Sequence, residues 1–166
     1  MRPFQHLAIR TVYLQPGELF VERQPAVVET ILGSCVSVTM FYPPSGFGGI
    51  CHALLPSASA PDDPPGRSVE GAVILLLERM LLLGAERNRL TIKLFGGSSV
   101  LGVAADHRTS VGSQNVAHAR ELLQRLSLAI QTADTGGRQG RRLYFNSGSG
   151  EVFVRKVRGP ARGHQA

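Results

Sequence analysis

Two residues in the first third of the chain are of types that could act together: Cys35, which follows a Leu-Gly-Ser turn, and His52, 17 positions later. A thiol attacks carbonyl carbon only as the thiolate, so it needs a neighbouring base, and an amide leaving group needs a proton; one histidine can serve both needs in turn. Gly33 lets the backbone turn tightly ahead of the cysteine, and amides near such a turn can point at a developing oxyanion. The residues between the pair read as a hairpin: CVSVTMFY is rich in β-branched and aromatic residues, PPSGFGG is turn chemistry, and ICHALLP resumes an apolar run. With the turn centred near Pro44, antiparallel pairing sets Cys35 and His52 roughly opposite one another. The same period of two sends Cys51 to the face away from His52, where it reads as a small core residue. Cys35, Cys51 and His52 lack the fourth ligand and the close spacing of a structural zinc site, so neither a metal nor another cofactor is implied. Taken alone, such a pair is more often a buried thiol beside a core histidine than a catalytic dyad.

Short strands and two helices must position the pair. Strands are predicted over residues 8–14, 19–22 and 27–32 ahead of the hairpin. After it, SASAPDDPPG is a polar, proline-rich loop, and Val69, Val73, Leu76, Leu77, Met80 and Leu81 then recur at helical spacing until Gly84. LTIKLF alternates and runs into Gly96-Gly97, and NVAHARELLQRL carries Val116, Ala119, Leu122, Leu123 and Leu126 on one side of a second helix. Strands over 128–133, 142–145 and 151–157 close the chain, the last two as a hairpin across NSGSG. No repeat or linker divides these elements, so residues 1–157 are expected to form a single α+β domain with helices flanking the sheet, and 158–166 a disordered basic tail.

At 166 residues and 43% hydrophobic composition the chain can bury a core without disulfides or metals. Its net charge of +6 is concentrated at one end, with seven arginines and lysines from Arg138 to Arg162 against Glu151 alone. Such a surface can attract an acidic partner, although a basic block is commonly no more than a solvated strand edge and tail. Nucleic acid is not expected, because aromatics make up 6% of the chain and none interleaves with the arginines. The first ten residues contain no apolar core, and the most apolar stretch, 72–83, is broken by Glu78-Arg79, so no membrane insertion is expected. Two cysteines without secretory context suit a reducing compartment, and a cytoplasmic location.

The string TILGSCVSV, followed by GGICHALLP with its histidine 17 positions after the cysteine, closely resembles the signature of the chemoreceptor glutamine deamidase (CheD) family. The likeness continues through VEGAVILLLERMLLLGA, KLFGGSS, VGSQNV, ADTGGR and VFVRKV, in the family's order. The resemblance implies a cysteine-hydrolase architecture like that of cytotoxic necrotizing factor, with mixed β-sheets packed between flanking helices. It also implies a reaction in which the thiolate attacks glutamine carboxamides of methyl-accepting chemoreceptors, ammonia leaves and water resolves the thioester. On this reading Cys35 is the nucleophile, His52 the acid and base, and the amides around Ser34-Cys35 hold the oxyanion. The family places a third catalytic residue, a threonine, six positions before the cysteine, where this sequence has Glu29 with Thr30 beside it. Either Thr30 takes the role through a one-residue shift such as a β-bulge, or Glu29 orients His52 as a carboxylate would. Thr30 is the preferred third member, and adjacent strand residues face opposite ways, so only one of the two can meet the ring.

Three functions compete at this point. A protein-glutamine deamidase is the first, with hydrolysis of receptor methyl esters as a chemically close variant. The second is a non-catalytic adaptor, since the resemblance also implies docking to a CheC-type phosphatase, which would not need a working Cys35. A basic RNA-associated domain, suggested by the calculated pI near 10.1, is the third.

Overall fold

The chain crosses repeatedly between two sheets, and the computed structural model describes residues 1–99 and 110–158 of it. In order, the elements are β1 (Arg10–Tyr13), β2 (Leu19–Glu22), β3 (Ala26–Leu32), β4 (Val36–Tyr42), β5 (Phe47–Cys51), α1 (Val69–Leu82), β6 (Thr91–Gly96), α2 (Val111–Arg125), β7 (Ile130–Thr135), β8 (Gly140–Asn146) and β9 (Val152–Val157). One sheet runs β1-β3-β8-β9 and the other β2-β5-β4-β6-β7. Both are mixed: β1 lies parallel to β3 and β6 parallel to β7, while the other pairs are antiparallel.

Alternation along β4 and β5 builds two cores at once. Val36, Val38, Met40, Phe47 and Cys51 face the helices, where they meet Val73, Leu76, Met80 and Leu123. Ile50 faces the other way, toward Phe20, Val28, Leu32, Phe95, Leu143 and Phe145 between the two sheets. Each fully buried leucine or methionine here contributes about 1.5–3 kcal/mol through the water it leaves behind. Helix α1 begins at Ser68, whose hydroxyl accepts from Gly71 N at 3.0 Å, and stops where Gly84 turns with φ of 100°. Helix α2 starts at Val111, earlier than the expected Asn115, because Ser110 caps it by accepting from Ser113 N at 3.1 Å.

The α+β class with two mixed sheets and two helices matches the expectation, but the layering does not. Both helices pack on the five-stranded sheet, so among the described residues the layers run helices, five strands, four strands. The outer face of the four-stranded sheet shows why no helix among the described residues covers it: Tyr13, Ile31 and Phe153 are scattered among Glu29, Arg142 and Arg155 and form no continuous apolar stripe. Part of that face lies instead under the first residues of the chain, with Phe4, Leu7 and Ile9 beside Val27 and Tyr144. Residues 159–166, most of the expected tail, lie outside the described residues.

The hairpin register also differs from the expected one. Thr39 pairs with Ile50, Tyr42 with Phe47, and the isolated bridge Val36–Ala53 keeps the same register. His52 therefore stands across from Ser37, with Cys35 one step along the same face. The strand starts at Phe47, inside apparent turn chemistry, because that ring packs edge-on against Tyr42 at 5.6 Å. Gly48 and Gly49 belong to it because side chains there would collide: a Cβ on Gly48 would lie 2.8 Å from Met40 O, and one on Gly49 2.8 Å from Leu76 Cδ1.

Candidate active site

Cys35 ends the turn by which the chain leaves β3 in one sheet for β4 in the other. Three carbonyls of this turn are held by donors from elsewhere. Ser98 N and Oγ both donate to Gly33 O at 2.9 Å, Asn115 Nδ2 donates to Ser34 O at 2.9 Å, and Gly97 N donates to Cys35 O at 2.8 Å. Among the described residues no backbone carbonyl accepts from the amides of Ser34 and Cys35. Gly96 makes the approach possible: its φ is 104°, and a Cβ there would lie 2.3 Å from Cys35 O. The cysteine itself is half-buried and free.

His52 is carried past the end of β5, where Gly17 N donates to its carbonyl at 2.8 Å and its own amide donates to Glu18 O at 3.2 Å. Its ring is buried against the four-stranded sheet. Thr30 Oγ1 lies 2.7 Å from His52 Nδ1 and donates to Leu14 O at 2.8 Å. A hydroxyl has one proton, and here it is committed to a buried carbonyl, so the bond to the ring requires Nδ1 to be the donor. That tautomer leaves a lone pair on Nε2, which has no partner among the described residues. Cys35 and His52 are thus on one face but not hydrogen-bonded in this state.

Glu29 and Thr30 are separated by the pleat. Glu29 faces the outer side of the four-stranded sheet and is ion-paired with Arg142. The pairing of β3 with β8 runs through 29–30 without a register shift, so no bulge carries Thr30 to the ring. Cys51 is fully buried in the helix-side core, where burial pushes its thiol up to about 11.

Burial sets the charge state of the pair. It pushes the Cys35 thiol up from its ordinary value and the His52 imidazole down to about 4. At neutral pH the resting site therefore holds a thiol and a neutral imidazole. Among the described residues no group of three His, Cys, Asp or Glu side chains could hold a metal ion, and no helix is long and apolar enough to cross a membrane. The basic C-terminal segment is partly spent inside the fold: Arg141 and Lys156 both reach Asp134, and Arg142 is taken by Glu29. A cavity of about 620 Å³ borders Gly97, Ser113, Arg120 and Gly137 and touches neither Cys35 nor His52, so the reactive groups and not this open space locate the site. Sequence reasoning missed Asn115 and Ser98. Asn115 could have been found as a polar residue in line with Ala119 and Leu122 on the buried side of α2.

Comparison with known proteins gives a consistent picture. The family model described as CheD chemotactic sensory transduction matches residues 54–156. The chain is similar to a Geobacter sulfurreducens protein named probable chemoreceptor glutamine deamidase CheD 2, at 44% identity over 92% of this chain and 94% of that one. Proteins named probable chemoreceptor glutamine deamidase CheD are 39% identical in Nitratidesulfovibrio vulgaris, over 92% of this chain and 80% of that one, and 35% identical in Pyrococcus abyssi, over 90% and 94%. Shares that large necessarily bring Cys35 and His52 inside the aligned length, whereas the family-model match starts just after His52.

Proposed function

The chain belongs to the CheD family, and we propose that it is a cytoplasmic deamidase that converts glutamine side chains of chemoreceptors to glutamate through Cys35, His52 and Thr30. His52 Nε2 takes the Sγ proton as the thiolate attacks the carboxamide carbon, and the resulting oxyanion is met by the amides of Ser34 and Cys35. The imidazolium returns the proton to nitrogen, the C–N bond breaks and ammonia leaves a Cys35 thioester. Water, deprotonated by the same Nε2, attacks the thioester and releases glutamate and the thiol. Nitrogen, oxygen and protons balance without an oxidant or a metal.

The observation that supports this reading most is the Thr30–His52 bond, which turns the basic nitrogen of the ring away from Thr30 on the face that also carries Cys35. A resting thiol and neutral imidazole fit a site that develops charge only when a carboxamide arrives. The open Cys–His contact fits as well, because catalytic hydrogen bonds often tighten only in the substrate complex.

Mass spectrometry of a folded chemoreceptor cytoplasmic fragment, incubated with the protein and in parallel with Cys35→Ala, tests the proposal. A gain of glutamate at defined glutamines that disappears with Cys35→Ala is expected. No conversion by the wild-type protein would overturn the reading and favour an adaptor that docks to a CheC-type phosphatase.

A further inference from the structure

We propose that Asn115 is a positioning residue for oxyanion stabilisation: by holding the Ser34 carbonyl from helix α2, it aims the Cys35 amide at the reacting oxygen. This deepens the acyl-transfer reading of Cys35 and rests on it. A trans peptide is planar, with its C=O and N–H pointing in opposite directions. Whatever grips the Ser34 carbonyl therefore also sets the direction of the Cys35 N–H. Asn115 Nδ2 does so at 2.9 Å, and its side chain is wholly buried. The same amide nitrogen donates to Leu54 O at 3.0 Å, two residues beyond His52. One carboxamide thus fixes both the turn that presents the nucleophile and the segment after β5 that presents the base. Ser98 plays the matching part on Gly33 O, which orients the Ser34 N–H. A buried asparagine could instead do no more than satisfy two carbonyls, and the two roles differ in what they predict for chemistry at Cys35.

Alkylation of Cys35 by iodoacetamide displaces iodide at a saturated carbon and passes through no oxyanion. Acylation of Cys35 by p-nitrophenyl acetate passes through a tetrahedral oxyanion and releases nitrophenolate. Removing an oxyanion donor outright costs about 100- to 1000-fold, so Asn115→Ala, which only frees the donor to wander, is expected to slow acylation by about 10- to 100-fold while alkylation stays within about 2-fold. Leu122→Ala, another buried position on α2, serves as the control for loss of stability and should leave the ratio of the two rates unchanged. Asn115→Ser, which keeps one donor, carries the same comparison if the alanine variant does not fold. Equal losses in both reactions, or a Leu122→Ala ratio that shifts as much, would overturn the assignment while leaving Cys35 an acyl acceptor. A wild-type protein that is alkylated but never acylated at Cys35 would overturn both this inference and the acyl-transfer reading.

Discussion

Replacing Thr30 with valine keeps the volume of the side chain and removes its hydroxyl, which holds two groups at once. Leu14 O loses its donor at 2.8 Å and His52 Nδ1 loses its acceptor at 2.7 Å, both in the buried seam between the sheets. Each orphaned buried polar group costs about 1–3 kcal/mol, and because the loosened ring can recover part of that loss, the total expected is about 2–4 kcal/mol. Equilibrium unfolding in urea measures it as a lower midpoint at unchanged slope. The catalytic effect is separate. Without Thr30 nothing holds the proton on Nδ1, and an imidazole with its proton on Nε2 cannot accept one from the thiol. The rate of ammonia release should therefore fall by about 10- to 100-fold with KM little changed. Nitrogen-15 spectra of labelled histidine report the tautomer directly: the wild-type protein should carry the His52 proton on Nδ1, and Thr30→Val should show a mixture. A wild-type ring protonated on Nε2 would refute the reasoning whatever the variant's rate.

Glu29→Gln should deamidate within about 2-fold of wild type, since the carboxylate meets Arg142 on the far side of the strand; with Arg142 still 35% exposed, the stability lost should be about 1–2 kcal/mol, and a collapse of rate without unfolding would mean that Glu29 reaches the ring after all. The His52 imidazole, lowered from 6.5 to about 4 by burial, binds fewer protons folded than unfolded between those values, so its contribution of about 3 kcal/mol is complete above pH 6.5 and is lost as pH falls toward 4. Urea midpoints measured across that window should fall more steeply for the wild-type protein than for His52→Gln.

That Cys35 and His52 share a face was legible because its cues are local: a glycine turn before Cys35, alternation through the hairpin, and a histidine at matching spacing. Helix α1 was legible for the same reason, since its apolar spacing and its Ser68 cap lie within one stretch of chain. What could not be read depends on docking. Alternation shows that Glu29 and Thr30 face opposite ways, but which of them meets His52 is decided by how the four-stranded sheet lies against the five-stranded one. The hairpin register slipped because Phe47, Gly48 and Gly49 look like turn residues and become strand only through Tyr42, Met40 and Leu76. The parallel pairings of β1 with β3 and β6 with β7 bring together strands distant along the chain and leave no local mark. Asn115 is marked in the sequence only by its place in line with Ala119 and Leu122, and its partners, Ser34 and Leu54, are set by docking.

The seam between the sheets has a consequence for folding. The contacts that complete the site close separations of 22 residues from Thr30 to His52, 61 from Leu54 to Asn115 and 81 from Ser34 to Asn115. Such closures carry a chain-entropy cost that short-range helix formation does not, so they are made late. A partly collapsed chain can hold α1 and the β4–β5 hairpin and still lack an oriented histidine. Dilution from denaturant should restore the helical signal before it restores ammonia release, and a chain halted at that stage would keep its reactive thiol chemically idle.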